Sequence, residues 1–438
     1  MKAMIGRAGS SLLTSRALHN SRRAFHALSR KLRGGKPTIH YFHQADDPYS
    51  HVAAQMLAPL LARYDVAFTP WIVPPPDDAA APERERLRRY ALRDAPRLAR
   101  EYGLEFPPAD ALPAADIVAA CNAVLAGAAA SGRFVELAAD AGRALWTDDR
   151  AALDRLGETA GRADPASLAS ALAAGDRERR RRGHYLGAMF CFEGEWYWGV
   201  DRLNHLEERL TGLGLDRAPK GTPPLAPYLG LKLLPRPQGG ARPVIDYWFS
   251  FRSPYSCISF PRMRQIARHY DAELRLRFIL PMVMRGLPVP RVKRFYIMLD
   301  TKREAERAAT PFGKSVDPVG AGAERALAVL HHAVKRGRGE EFAELGLRAA
   351  FADGIDLASD EGLMDVARRA GLDAETVKAA LADESWRTVA EENRKALFDA
   401  GLWGAPSFRV NGLPAHWGQD RFWALEEDII EVMKGRVP

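Results

Sequence analysis

Cysteine is scarce in this chain of 438 residues: there are three, Cys121, Cys191 and Cys257, and they are widely spaced. No Cys-x-x-Cys occurs. That excludes a dithiol redox pair and a cysteine-built zinc site, and so low a count suits a reducing compartment. The eleven histidines show no metal-ligand spacing. His331 and His332 are adjacent and diverge on a helix, so no metal is expected. No apolar run approaches the roughly 18 residues that cross a bilayer, so no membrane association is expected. Acids are missing from residues 1–35, and the eight cations there, from Lys2 to Arg33, equal the whole excess of 63 Lys and Arg over 55 Asp and Glu. The rest of the chain is neutral overall, with no basic field to steer a nucleic acid.

What is present fits a soluble globular protein, with 47% hydrophobic and 27% charged residues, and the length calls for two domains or more. Residues 1–36 read as a basic N-terminal arm or a targeting segment. Leu12, Leu13, Leu18, Phe25, Leu28 and Leu32 lie among the charges, a composition shared by mitochondrial transit peptides and by mobile basic arms. The cytoplasm is the expected location, with the mitochondrial matrix as the alternative if residues 1–35 are a transit peptide.

The chain repeats itself. Trp198-Gly199-Val200-Asp201-Arg202-Leu203 followed by Leu206-Glu207-Glu208 matches Trp417-Gly418-Gln419-Asp420-Arg421-Phe422 followed by Leu425-Glu426-Glu427. Each copy has a glycine turn upstream, Glu193-Gly194 or Asn411-Gly412, between short apolar runs, which predicts a β-hairpin. Asp201 and Asp420 then read as N-caps of a helix. The starts match too: Thr38-Ile39-His40-Tyr41-Phe42-His43 leads to Asp47-Pro48-Tyr49-Ser50, as Val244-Ile245-Asp246-Tyr247-Trp248-Phe249 leads to Ser253-Pro254-Tyr255-Ser256. Each half is thus predicted as strand–helix–strand, a helical insertion (83–175 or 295–400), then hairpin and helix. The domains are expected at 37–215 and 243–434, joined by a Pro/Gly-rich linker over 216–242.

The segment 244–256 is an aromatic and β-branched strand running straight into a helix, with Pro254 in the helix's first turn. Together with Trp403-Gly404-Ala405-Pro406-Ser407-Phe408 and Trp417-Gly418-Gln419-Asp420-Arg421, it resembles the DsbA-like thioredoxin-fold group that includes kappa-class glutathione transferases and 2-hydroxychromene-2-carboxylate isomerases. The resemblance covers about 243–434, and the N-terminal half resembles the same fold more faintly. It implies an α/β protein of two tandem thioredoxin-like (DsbA-type) domains, each with a helical insertion. Ser253 and Ser256 stand where the fold carries its two cysteines, so the site keeps a thiol enzyme's architecture without a thiol pair. Glutathione is the implied cofactor.

On that resemblance Ser253 stabilises the glutathione thiolate, the helix N-terminus adding its positive end. Pro254 and Tyr255 flank it, Ala405 offers its backbone before a cis Pro406, and Gly418, Gln419 and Asp420 hold the γ-glutamyl end. Plain alternatives stand beside each role: Ser253 as an N-cap worth roughly 1 kcal/mol, Pro406 as a trans turn proline, Asp420 as a cap. The group's Gly-Asn-x-Pro-Pro segment is replaced by Arg285-Gly286-Leu287-Pro288-Val289-Pro290, so Arg285, Arg291 or Lys293 is the substitute polar contact, and Arg252, Arg285 or Arg291 the anchor for a substrate carboxylate. Cys257 lies one helical step, about 100°, from the active-thiol direction and reads as core. Arg179 to Arg182 read as a solvated face. In the N-terminal half Asp47 replaces Ser253 and Met189 falls near Pro406's place, which marks a degenerate site, because a carboxylate repels a thiolate.

The expected activity is a glutathione-dependent isomerase or transferase acting on a small aromatic electrophile. The alternatives are a DsbA-type thiol–disulfide oxidoreductase working through Cys257 and a redox-inert binding module. The partner expected is a small-molecule substrate. The resemblance also implies pairing, as a homodimer or as an imitation of one within the duplicated chain.

Overall fold

The computed structural model describes residues 2–237 and 240–436, with the side chains of residues 2–5 outside the description; Gln238 and Gly239 of the predicted linker also lie outside it. The chain divides into two compact units, Asn20–Leu229 and Gly230–Pro438, the second joined by Met1–His19.

Two helices open the chain, α1 (Lys2–Leu13) and α2 (Arg16–Leu32). The α1 segment belongs to the C-terminal unit: Ser10 Oγ donates to the Ser315 carbonyl at 3.1 Å and accepts from the Ser315 N–H at 2.8 Å, and Thr14 Oγ1 donates to the Gly313 carbonyl at 3.1 Å. Most of α2 belongs to the N-terminal unit and is held by its cations, Arg23 on Glu195 at 2.6 Å and Arg30 on Glu193 at 2.8 Å. Its Phe25, Leu28 and Leu32 stay exposed. No helix among the described residues is long and apolar enough to cross a membrane.

The N-terminal unit continues with β1 (Thr38–His43), α3 (Pro48–Ala54), α4 (Leu57–Arg63) and β2 (Ala67–Ile72). Its insertion is α5 (Arg84–Glu101), α6 (Ala115–Ala130), α7 (Phe134–Trp146), α8 (Arg150–Ala160) and α9 (Pro165–Arg181), followed by β3 (Met189–Phe192), β4 (Glu195–Trp198) and α10 (Leu203–Gly212). The C-terminal unit repeats the plan: β5 (Val244–Phe249), α11 (Pro254–His269), β6 (Glu273–Phe278). Then come α12 (Arg291–Arg307), α13 (Ala321–Lys335), α14 (Gly339–Arg348), α15 (Asp360–Arg369), α16 (Ala374–Leu381) and α17 (Trp386–Asp399), closed by β7 (Ser407–Val410), β8 (His416–Trp417) and α18 (Phe422–Met433). Among the described residues there are two four-stranded sheets, ordered β2-β1-β3-β4 and β6-β5-β7-β8. Each is parallel across its first pair and antiparallel across the other two. This is the tandem thioredoxin-like architecture.

The repeat is closer than its sequence. Thr38 pairs with Ala67 and His43 with Ile72, as Val244 pairs with Glu273 and Phe249 with Phe278; every one of these positions is separated from its counterpart by 206 residues. The N–H of Val73 bonds the His43 carbonyl, and that of Ile279 the Phe249 carbonyl. The predicted hairpins form: Glu193 and Gly194 have φ of 46° and 79°, Asn411 and Gly412 of 47° and 76°, the two positive φ values that suit the twist of a tight β-turn.

Burial fixes the strands. Ile245, Tyr247 and Phe249 are fully buried against Phe260 of α11 and Ile429 of α18, each such side chain contributing about 1.5–3 kcal/mol by leaving water. The segment predicted as a linker has no regular element, yet it is pinned at two points along its middle. Glu207 of α10 accepts the N–H of Leu225 at 2.8 Å, that of Ala226 at 2.9 Å and the Tyr64 hydroxyl at 3.1 Å. Glu426 of α18 accepts the N–H of Lys232 at 2.7 Å and the Tyr270 hydroxyl at 2.8 Å, with the Leu234 N–H at 3.3 Å. The repeated Leu-Glu-Glu therefore encodes a buried carboxylate clamp in each unit.

Three local expectations are corrected. Asp201 and Asp420 do not cap helices: the caps are Arg202 and Arg421, without a side-chain capping bond. Arg179 is not on a solvated face but 1% exposed, paired with Asp176 at 2.6 Å. Pro406's place in the N-terminal half is taken by Ala188, not Met189, because Met189 faces Phe42 as Ser407 faces Trp248.

Candidate functional site

The site forms where β5 hands over to α11. Ser253 is the N-cap, in extended conformation, and its Oγ accepts the N–H of Ser256 at 3.1 Å. Its own proton goes to the Ala405 carbonyl at 3.0 Å, so the cap reading holds and a second bond ties the cap to the opposite loop. Pro254 occupies the first helical position, where its missing N–H costs nothing. The Ala405–Pro406 peptide is cis. Ser253, Pro254, Tyr255, Ala405 and Pro406 are thus brought together across 152 residues of chain.

The third motif locks the same loop. Gly418 N–H donates to the Pro406 carbonyl at 3.0 Å, and its φ of +107° is one that glycine adopts freely. The indoles of Trp403 and Trp417 lie 4.7 Å apart. A Cβ at Gly404 would sit 2.6 Å from Trp417 Nε1, so a side chain there would separate the rings. Gln419 is 2% exposed and its amide is already engaged: Nε2 donates to Glu304 at 2.8 Å, and Oε1 accepts from Arg262. Gln419 therefore positions the loop, while the partly exposed Asp420 is the carboxylate beside it.

Helix α12 contributes residues that sequence reading missed. The Tyr255 hydroxyl donates to Asp300 at 2.7 Å, and Arg303 donates to the other Asp300 oxygen at 2.7 Å. Asp300 and Glu304 are 1% and 2% exposed and one helical turn apart, so both carboxylates face the site elements. The signal was available: Tyr49 donates to Asp94 at 2.8 Å, and both Tyr–Asp pairs span 45 residues.

The candidate cations separate. Arg252 is committed to Asp317 through two bonds of 2.7 and 2.8 Å. Arg291 lies over the Phe295 ring at 5.2 Å. Arg285 donates to the Trp403 carbonyl at 2.9 Å, on the site loop itself. Lys293 is pushed down to about 8 by burial; it lies two turns before Asp300 on α12 and shares its face. Cys257 is 5% exposed and burial pushes its thiol up to about 12, so it is a core residue at neutral pH. Burial does the same to Cys121, also to about 12, and to Cys191, to about 11.

The corresponding place in the N-terminal half is built on the same frame. Asp47 caps α3, accepting the N–H of Tyr49 at 3.3 Å and of Ser50 at 3.2 Å, with the Ser50 hydroxyl at 2.8 Å. Burial raises its carboxyl to about 7, opposed by the Ser50 bond and reinforced by the charge of Asp46. Ala188 has φ of +52°, and its carbonyl accepts from Gly199 at 2.7 Å as Pro406's does from Gly418.

Residues 244–430 match the family described as DSBA-like thioredoxin domain. Over 196 residues the chain is 25% identical to a 2-hydroxychromene-2-carboxylate isomerase of Pseudomonas sp. (strain C18), covering 42% of this chain and 90% of that protein. A solved 2-hydroxychromene-2-carboxylate isomerase is 20% identical, covering 44% of this chain and 97% of its own, with a TM-score of 0.38. The cytosolic disulfide reductase DsbM of Pseudomonas aeruginosa, solved with GSH, is 16% identical over 44% of this chain and 98% of its own, with a TM-score of 0.34.

Proposed function

From a DsbA-like thioredoxin domain over residues 244–430 that has serines at both cysteine positions, we propose that the protein is a glutathione-dependent isomerase or transferase for a small, aromatic electrophile. The observation that carries this reading is the placement of the Ser253 hydroxyl, at the N-terminus of a 16-residue helix and 3.0 Å from the Ala405 carbonyl before the cis proline. A helix N-terminus favours an anion, and a hydroxyl beside it can turn its proton from Ala405 to a thiolate sulfur while still accepting from Ser256. The similarity to a 2-hydroxychromene-2-carboxylate isomerase supports the isomerase form.

Ser253 would hold the sulfur. Ala405, with Pro406 and Gly418 fixing its loop, would offer backbone to the tripeptide as an added strand does. Asp420 would face the α-ammonium, and Gln419 would keep that segment in place. Bound glutathione supplies a nucleophile that adds to an unsaturated substrate and leaves unchanged, so the isomerisation is redox-neutral. Arg285, which reaches the site loop, and Lys293 on α12 would hold a substrate carboxylate, whereas Arg252 is paired with Asp317. Trp403 and Trp417 supply an aromatic wall.

A thiol–disulfide oxidoreductase acting through Cys257 is disfavoured by that thiol's burial. Alkylation of Cys257 in the native protein as fast as in denaturant would restore that reading.

Calorimetry of glutathione with the parent and with Ser253→Ala at several pH values tests the proposal. The parent should bind with release of a proton. Ser253→Ala should bind about tenfold more weakly at neutral pH and release less proton, as expected for loss of one hydrogen bond to a charged group. No binding at millimolar glutathione overturns it and leaves a redox-inert binding module.

A further inference from the structure

Helix α2 reverses the order of an ordinary surface helix, whose apolar stripe faces the core. Over Asn20–Leu32, the part that belongs to the N-terminal unit, two of its cations face inward. Arg23 bonds both oxygens of Glu195, at 2.6 and 2.9 Å, and Arg30 bonds Glu193 at 2.8 Å. Between them a Cβ at Gly194 would meet His26 Nε2 at 2.5 Å, so the helix lies directly on the turn between β3 and β4. The apolar residues point the other way: Phe25, Leu28 and Leu32 are 67, 57 and 80% exposed, and no residue of the helix is buried. Their spacing of three and four residues puts them on one stripe. At about 100° per residue, Arg22 falls on one flank of that stripe and Lys31 on the other, with Arg23 and Arg30 on the far side.

Contiguous apolar surface left in water marks an interaction face, and here charge decides what covers it. Arg22 and Lys31 are exposed and in no ion pair among the described residues. Arg33 and Lys36, also exposed, follow the helix. No acid precedes Asp46 in the sequence. The two glutamates beneath the helix are already neutralised, Glu193 by Arg30 and Arg209, and Glu195 by Arg23 and Arg209. A second copy of α2 seated on the stripe would set Arg22 and Lys31 against like charges, with no acid to pair them. A nucleic acid would meet the cations and leave the stripe in water. A bilayer of anionic phospholipid meets both the stripe and its flanks, and lying on it needs no segment that crosses it.

We infer that α2 is a membrane-surface helix. It lies in the headgroup layer of an anionic bilayer, with Phe25, Leu28 and Leu32 entering the acyl boundary and Arg22, Lys31 and Arg33 on the phosphates. Arg23 and Arg30 keep it fastened to the N-terminal unit. One short stripe gives reversible attachment. The inference does not rest on the glutathione reading: either can fail without the other.

The test is sedimentation of the full chain with vesicles, one set of phosphatidylcholine alone and one of equal parts phosphatidylcholine and phosphatidylglycerol. The chain should bind the anionic set at low salt and the neutral set at least about tenfold more weakly, and about half-molar salt should release it. Phe25→Ser, Leu28→Ser and Leu32→Ser together should weaken binding at least about tenfold. So should Arg22→Gln with Lys31→Gln, which spares both fastening pairs. All five positions are exposed, so circular dichroism and melting temperature should not change. A separate readout locates the contact. The three cysteines of the chain are buried, so Leu28→Cys can be labelled at that position alone with a polarity-sensitive dye, whose emission should shift to the blue on anionic vesicles. Ser253→Ala should bind vesicles as the parent does. The inference is overturned if the chain stays in solution with anionic vesicles at low salt, binds neutral ones equally, keeps full affinity without the apolar stripe, or binds with the dye still in water. It is also overturned if sedimentation velocity shows a dimer that the triple serine variant splits, since a second copy then covers the stripe.

Discussion

The two halves of this chain share one frame and differ at its reactive corner. In the C-terminal half a neutral hydroxyl, Ser253, faces a carbonyl that precedes a cis proline. In the N-terminal half an ionisable carboxyl, Asp47, takes the hydroxyl's place, and Ala188 in a left-handed conformation takes the proline's. Around them three features are kept: the Pro-Tyr-Ser start of the helix, the Tyr–Asp bond to the long helix, and the glycine N–H on the loop carbonyl. The frame is therefore a scaffold that carries different groups at its reactive corner. A hydroxyl can serve a thiolate. The half-buried Asp47 carboxyl, once ionised, repels one.

Three further substitutions sharpen the comparison. The largest effect should come from the clamps, where the halves are alike. Glu207→Ala and Glu426→Ala should each destabilise its own half by about 3 kcal/mol, because each leaves two backbone N–H groups without their acceptor and takes one from a tyrosine hydroxyl. Urea denaturation of the two variants should show equal losses, and unequal losses would break the equivalence. Asp47→Asn probes where the halves differ. The folded carboxyl titrates at about 7 against an ordinary 3.8, so the folded state holds a proton that the unfolded chain has already released. The stability this contributes is fully present below about pH 4 and is lost as pH rises through 7. Asparagine does not titrate, so the variant should gain on the parent between pH 4 and 8, by up to about 4 kcal/mol, and a gap in melting temperature independent of pH would contradict this. The smallest effect is expected at Ala188. Glycine there relieves a left-handed alanine but loosens the unfolded chain, a net gain of about 0.5 kcal/mol by denaturant midpoint. A loss would mean that the alanine methyl packs usefully.

Much of this was legible in the chain. The strand-to-helix junction at 244–256 and the Trp-Gly-Ala-Pro loop are local patterns, and local patterns state their own geometry. The repeated Trp-Gly-x-Asp-Arg disclosed the duplication, although its aspartates proved not to be caps. What stayed hidden rests on distant partners. Gln419 reads as a ligand group until Arg262 and Glu304 are found on its amide, 157 and 115 residues away. Arg252 reads as a free anchor until Asp317 meets it 65 residues on. Met189 reads as falling near Pro406's place, one residue past the true counterpart, because nothing marks Ala188: alanine carries no signal for positive φ, and Met189 to Trp198 is one residue shorter than Ser407 to Trp417.

The constant spacing of 206 residues, which runs from Thr38 and Val244 to the Tyr–Asp bonds of the long helices, has a practical meaning. The paired strand positions and the Tyr–Asp bonds of this stretch each have a twin held by different neighbours in the same molecule. A change written into one copy leaves its reference in the other, so temperature, buffer and expression cancel when the two responses are divided. A duplicated chain of this kind carries its own control experiment in its covalent structure.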